Sequence, residues 1–110
     1  MTPDEFRAIA LSFPETEERS HMDHPDFRVG GKIFATLSSD LTKGMASLTP
    51  ELQADYMTMD ASFHPASGAW GRKGSTLITL ATAKPQAVRS ALAAAWELRM
   101  QKPARSKGAR

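Results

Sequence analysis

The chain has 110 residues, of which 41% are hydrophobic and 24% charged, and it contains no cysteine. This length supports one hydrophobic core rather than two domains, and the lack of cysteine excludes disulfides, thiolate nucleophiles and cysteine-ligated metal sites. The acidic N-terminal stretch MTPDEFRAIALSF has neither the basic start of a signal peptide nor the long apolar run of a transmembrane helix. We therefore expect one cytoplasmic domain over residues 1–102, monomeric and not associated with a membrane.

The positive charge of the chain is concentrated at its C-terminal end. The formal net charge is +2, but residues 102–110 contain four basic residues and no acid, which leaves ten basic and twelve acidic residues before them. This distribution does not indicate a uniformly basic nucleic-acid-binding domain. Residues 103–110, which include Arg105 and Lys107, have no apolar side chain larger than alanine or proline and are predicted to form a disordered basic tail.

Three helices are predicted from their starting signals and their apolar spacing. Each helix has a proline at its start, because proline is favoured in the first turn of a helix. The predicted ranges are 3–12, 50–60 and 85–102. At the first start, Thr2 and Glu5 form the pattern of a capping box. In the last helix the apolar residues follow the spacing i, i+3, i+4, i+7 and i+8, which places Trp96 in a buried stripe.

A tight hairpin is predicted over residues 27–34. Gly30 and Gly31 stand between two strand-like runs and can supply the two positive φ angles of a type I′ turn. A two-residue turn sets the register, which pairs Val29 with Lys32, Arg28 with Ile33 and Phe27 with Phe34. Further strands are expected at residues 19–22, 43–48 and 75–80, with a turn at residues 23–26.

The predicted elements follow one another in the order α-β-β-β-β-α-β-α. Because the strands are joined by hairpins rather than by βαβ crossovers, they indicate an α+β domain with an antiparallel sheet of four to six strands. The helices are expected to pack mainly on one face of that sheet.

The segment before the last strand, residues 63–74, is predicted to be a shaped loop. It contains three glycines, which can adopt backbone angles closed to other residues: Gly68, Gly71 and Gly74. Arg72 and Lys73 are interpreted either as phosphate contacts or as a solvated loop face. Trp70 is interpreted as a stacking ring or as a half-buried ring at the edge of the core, and the second interpretation is favoured because tryptophan is usually mostly buried.

Several short runs together carry a resemblance to a known family. They are F-R-V-G-G-K-I-F-A, L-T-P-E-L, W-G-R-K-G-S-T-L-I-T-L and A-L-A-A-A-W, preceded by the first helix and an acidic E-E pair. In this order they resemble the MmcQ/YjbR family of small bacterial proteins, over residues 2 to about 102. The resemblance implies a fold similar to CyaY, the bacterial frataxin, and a proposed double-wing DNA-binding arrangement. Ser75 stands where that family tends to carry an aromatic residue.

Metal binding and catalysis are not favoured by the residue pattern. His21, Asp23 and His24 could converge with His64, but an isolated cluster without a distant second pair of ligands is more often a solvated hairpin end. The frataxin-like resemblance also suggests iron, although the acids here are split between a helix start and a connection. The glycine-rich segment leads into a strand, so it is not a P-loop. We expect no metal, no cofactor and no enzymatic activity.

Two functions of different classes remain open. In the first, the protein binds DNA weakly and in a salt-sensitive manner, with Trp70 as a stacking ring and with phosphate contacts from Arg28, Lys32, Arg72, Lys73, Arg105 and Lys107. In the second, it is a protein- or ligand-binding module that uses the Trp70 segment and has no nucleic-acid role. A hairpin tip, a Trp70 segment and a tail that emerge on one side of the domain would favour the first function.

Overall fold

The computed structural model describes residues 1–21 and 23–101. Its elements in chain order are α1 (Pro3–Leu11), β1 (Thr16–His21), β2 (His24–Val29), β3 (Lys32–Leu37), β4 (Lys43–Ser47), α2 (Pro50–Met59), β5 (Phe63–Pro65), α3 (Gly68–Arg72), β6 (Ser75–Thr79) and α4 (Pro85–Met100). The predicted element order is confirmed, with two additional short elements, β5 and α3, between α2 and β6. The tail residues Arg105 and Lys107 lie outside the described residues.

The six strands form one antiparallel sheet in the order β1-β2-β3-β4-β6-β5. Burial alternates along β4 and β6, so helices cover one face of the sheet and the other face stays accessible. The covered face holds the hydrophobic core, whose largest fully buried side chains include Phe6, Phe27, Phe34, Leu37 and Leu92. The prediction of an α+β domain with helices mainly on one face is confirmed.

The start of α1 follows the predicted capping box. The Thr2 hydroxyl accepts from the backbone N–H of Glu5 at 3.1 Å, and the Glu5 carboxylate accepts from the backbone N–H of Thr2 at 2.7 Å. The two residues thus satisfy donors that an uncapped helix would leave without partners.

The predicted glycine turn is confirmed, but the register of its hairpin changes after two residue pairs. Gly30 and Gly31 have φ angles of 60° and 78°, and the first two predicted pairs, Val29 with Lys32 and Arg28 with Ile33, are present. The predicted pairing of Phe27 with Phe34 is wrong, because a β-bulge in β3 shifts the register and Phe27 pairs with Ala35 instead.

The first hairpin of the sheet is longer than predicted. The turn expected over residues 23–26 is wrong, since β2 already begins at His24 and pairs along its full length with β1. The chain reverses within a shorter turn that contains Asp23, whose φ angle is 67°. The carboxylate of Asp26 is buried on β2 and pairs with Arg28, which keeps this turn-forming residue type inside a strand.

Candidate functional site

The glycine-rich segment is more ordered than the predicted loop. It contains β5 and the five-residue helix α3, and its glycines serve different purposes. Gly68 and Gly74 have positive φ angles of 67° and 114°, as their residue type allows. Gly71 has no such angle, but a Cβ atom there would collide with the carbonyl oxygen of Ala66. Gly71 is therefore required for close backbone packing under α3.

A buried glutamine of α2 holds this segment in place. The Gln53 side-chain amide nitrogen lies 3.1 Å from the Gly71 carbonyl oxygen, from the Ser75 carbonyl oxygen and from the Thr76 hydroxyl. Gln53 was not identified from the sequence as a functional residue. The one available signal was its position three residues before the apolar Tyr56, which places the two side chains on neighbouring parts of the same helix face.

Trp70 lies on the outer side of α3 with 73% of its surface exposed. The favoured interpretation, a half-buried ring at the edge of the core, is therefore wrong. The physical reason is that α3 buries Gly71 against the domain, and the neighbouring indole then points to solvent. A tryptophan exposed to this extent is unusual for a residue type that is highly buried on average.

A groove of about 510 Å³ opens beside the Trp70 ring on the accessible face of the sheet. Its floor is formed by β3, β4 and β6, and its walls include α3 and the end of α4; its lining side chains include Ile33, Thr36, Met45, Ser47, Trp70, Ser75 and Arg99. We call it the Trp70 groove. Among the described residues, those that line it include no carboxylate and one cation, Arg99. The groove is thus mostly apolar, with hydroxyl groups along its floor.

Arg99 connects the end of α4 to this side of the molecule. Its Nε donates to the carbonyl oxygen of Ile33 at 2.8 Å, which places the last turn of α4 beside the start of β3 and the Gly30 turn. A second cavity of about 360 Å³ lies between Trp70, Lys73 and Arg99. The hairpin tip, α3 and the end of α4 are therefore at one end of the sheet.

The predicted cations of this region differ in whether they already form an ion pair with a carboxylate. Lys32, Arg72 and Lys73 are exposed, and none of the ion pairs among the described residues involves them. Arg28 is engaged: its Nε and Nη2 atoms lie 2.8 and 3.1 Å from the two oxygens of the buried Asp26 carboxylate. The side-chain hydrogen bond to Asp26 raises the pKa of Arg28. Arg28 thus has a structural partner that the sequence analysis did not identify.

Residues 1–21 and 23–101 were searched for clusters of metal-ligating side chains and for membrane-spanning helices. No group of three or more histidine, cysteine, aspartate or glutamate side chains is arranged within them to hold a metal ion. None of the helices described there is both long and apolar enough to cross a membrane.

The comparison with known proteins gives the family. The model of the YjbR family matches residues 11–98. The chain belongs to the YjbR family. Its fold is similar to the crystal structure of the Deinococcus radiodurans protein DR2400, a DUF419 domain, with a TM-score of 0.77 and 18% sequence identity over 92% of this chain and 80% of that one. No curated protein matches this sequence. The resemblance stated from the short sequence runs is confirmed at the level of the family and the fold.

Proposed function

We propose that this YjbR protein binds DNA without catalysing a reaction on it, and that the binding surface is the end of the sheet that carries Trp70. The observation that carries the proposal is the convergence of the exposed Trp70 ring, the exposed Arg72 and Lys73, and the end of α4 at one end of the sheet. In the sequence, four basic residues at positions 102–110 follow directly after α4 and its cap.

The charge distribution supports a local rather than a global attraction for phosphates. Residues 1–101 carry ten basic and twelve acidic side chains, so their net charge cannot draw DNA to the domain. Positive charge at one end can do so, because each cation that neutralises a phosphate releases a counterion. Binding of this kind is weak and decreases steeply with salt.

A small-ligand site is the second candidate, and the Trp70 groove is the observation that favours it. The groove volume of about 510 Å³ lies within the range of small-molecule sites, about 300–1,000 Å³. A ligand-binding module would use the groove without the surrounding cations. Binding of an apolar ligand that does not depend on salt would support this candidate.

Fluorescence anisotropy with labelled oligonucleotides across a salt series tests the DNA-binding proposal. Replacing both Arg72 and Lys73 by alanine should reduce the slope of log K against log salt concentration by about 1.8 in magnitude for duplex DNA. Each phosphate contact contributes about 0.9 to that slope. The matched control replaces Lys84 and Arg89, a pair of the same composition that is exposed at the N-cap and in the second turn of α4. We expect this control to leave the slope unchanged.

Removing residues 103–110 gives a second arm of the same assay. This deletion takes away three cations and should weaken binding without changing any sequence preference, because phosphate contacts carry no sequence information directly. The DNA-binding proposal fails if the intact protein shows no saturable binding at about 50 mM salt, where such contacts are strong. If tail deletion abolishes binding while the Arg72 and Lys73 change does nothing, the folded domain is not the binding element.

A further inference from the structure

We infer that the Trp70 groove holds an unpaired base, so that the DNA recognised by this protein is single-stranded. This inference rests on the proposed DNA-binding function and specifies its substrate class. It follows from the shape, the chemistry and the charge of the groove rather than from the cations alone.

The shape of the site suits a base that has left its stack. The exposed Trp70 ring stands at the wall of a concave groove whose floor is the sheet itself. Ser47 and Ser75 are paired across β4 and β6, and their small side chains help to leave this part of the floor open. In a duplex the bases are stacked inside the helix, whereas an unpaired base can turn outwards and stack on an aromatic ring.

The chemistry of the groove matches a nucleobase better than a purely apolar ligand. Ile33 and Met45 supply apolar surface for the flat face of a base, while Thr36 and the two serines place hydroxyl groups on the floor. A hydroxyl both donates and accepts hydrogen bonds, so it can pair with the polar edge of any base. Such a site recognises a base with little sequence preference.

The charge around the groove matches the phosphates on either side of that base. Arg99 lies in the wall, and its Nε is fixed on the Ile33 carbonyl oxygen, which leaves the other guanidinium donors available for an anion. Lys73 lies beside Trp70 at the neighbouring cavity. Within the part of the chain that the structure describes, no carboxylate lines either cavity. This arrangement combines a stacking ring with flanking cations, which is the combination that single-stranded nucleic acids require.

The edge of the sheet formed by β1 and β2 carries a different arrangement of charge. Glu17 lies opposite Arg28 and Arg19 lies opposite Asp26, so opposite charges face each other across the strands. One ion pair forms within each strand, Arg19 with Glu17 on β1 and Arg28 with Asp26 on β2. The shortest N–O distance is 2.8 Å in each pair. These cations are already matched by carboxylates, so the base site is assigned to the Trp70 groove.

The test compares a single-stranded oligonucleotide of twelve thymidines, the same strand with abasic positions, and a duplex, all by anisotropy at fixed salt. Trp70→Ala should weaken binding of the intact single strand by about 5- to 150-fold, the effect of losing one base–aromatic stack. Trp70→Phe should restore most of that affinity, and Trp96→Phe should have no effect. Abasic strands should bind the wild-type protein as weakly as the intact strand binds Trp70→Ala.

The outcomes separate this inference from the function on which it rests. If neither single strand nor duplex binds, the DNA-binding proposal fails and the inference fails with it. If both bind with the expected salt dependence, but Trp70→Ala weakens them equally or not at all, the inference alone is overturned. Equal affinity for abasic and intact strands would overturn it as well. Because Trp70 is 73% exposed, Trp70→Ala should keep the melting temperature of the wild type, which a thermal scan verifies.

Discussion

The two tryptophans of this chain lie in opposite kinds of environment. Trp96 is half-buried on α4, stacks on Phe13 with ring centroids 6.1 Å apart, and donates from its indole nitrogen to the Pro14 carbonyl oxygen at 3.1 Å. Trp70 is 73% exposed on α3 and stands beside an open groove. From the sequence, Trp96 was expected to be buried and Trp70 to be half-buried, and both side chains are more exposed than that.

The difference shows that supporting backbone, rather than residue type, decides where a large ring is placed. The sixteen-residue helix α4 presents a broad apolar stripe, and Trp96 lies at its margin. The five-residue helix α3 has no such stripe and is held by Gln53 and by the close packing of Gly71. A segment that is held by contacts of its backbone can leave an apolar ring exposed to solvent. Exposed apolar surface often marks a binding site.

The largest expected effect is the difference in unfolding free energy lost when each of the two tryptophans is replaced by alanine. Trp96→Ala should lower the free energy of unfolding by about 3 kcal/mol, the low end for tryptophan truncation, because the ring is only half-buried. The same substitution at Trp70 should change it by less than about 0.5 kcal/mol, as at other surface sites. Urea unfolding followed by circular dichroism measures both. Equal losses for the two variants would mean that the rings are not in different environments.

The next effect concerns the two glycines of α3, Gly68 and Gly71. Gly71→Ala should cost about 2–3 kcal/mol, because the added Cβ meets the backbone oxygen of Ala66, which cannot move like a side chain. Gly68→Ala is the matched control: its φ angle of 67° is strained for alanine, but the added Cβ meets open space, so the cost should be about 1–2 kcal/mol. A larger loss at Gly68 than at Gly71, measured in the same urea titrations, would contradict the proposed packing.

The third effect concerns Gln53, which links α2 to the Trp70 segment. Gln53→Ala should cost about 1–3 kcal/mol, since it removes a buried side chain whose amide nitrogen hydrogen-bonds to Gly71, Ser75 and Thr76. It should also weaken single-strand binding, because the Trp70 segment loses its anchor. The matched surface control is Gln86→Ala on the exposed start of α4, which should change neither quantity. If Gln53→Ala matches this control in both assays, the anchoring role is refuted.

The smallest expected effect depends on pH and concerns Asp60, a residue outside the Trp70 groove. Asp60 is buried, and burial alone would raise the pKa of its carboxyl group. Hydrogen bonds from the backbone N–H groups of Lys84 and Ser62 outweigh this effect, so the pKa of Asp60 is lowered. Its stabilising contribution is therefore complete above the ordinary carboxyl pKa of about 4 and is lost as the pH falls below that value. Asp60→Asn should cost about 1 kcal/mol at pH 7.

Thermal unfolding at pH 7 and at about pH 3 measures this contribution. The difference in stability between wild type and Asp60→Asn should shrink as the pH falls, because the wild-type carboxylate becomes protonated. Single-strand affinity of the variant at pH 7 should equal that of the wild type, since Asp60 lies outside the Trp70 groove. A difference that grows towards pH 3 would show that the sign of the shift is wrong.

Local signals in the sequence predicted the parts of the fold that depend on neighbouring residues. The capping box of Thr2 and Glu5 and the turn at Gly30 and Gly31 were predicted because their geometry is set within a few residues. The β-bulge at Phe34 was not predicted, since a shift in the register between β2 and β3 is not set by the residues of the turn alone.

The candidate site was less predictable than the fold for the same reason. Arg72, Lys73 and Trp70 were singled out by their position among glycines, but the groove beside them needs Arg99 and Ile33 from distant parts of the chain. Gln53 acts through three acceptors that lie 18 to 23 residues away. No local pattern reports such contacts, so only the folded arrangement identifies these residues.

The most direct test of the central claim follows the two indole N–H signals in ¹H–¹⁵N spectra of the labelled protein. During titration with a single-stranded oligonucleotide, the Trp70 signal should shift in proportion to binding. The Trp96 signal should stay in place, because its N–H remains bonded to the Pro14 carbonyl oxygen. Trp70→Phe identifies which signal belongs to which ring. Saturable binding that leaves the Trp70 signal unmoved, or that shifts only the signal of Trp96, would contradict the claim that DNA binds at the Trp70 end of the sheet.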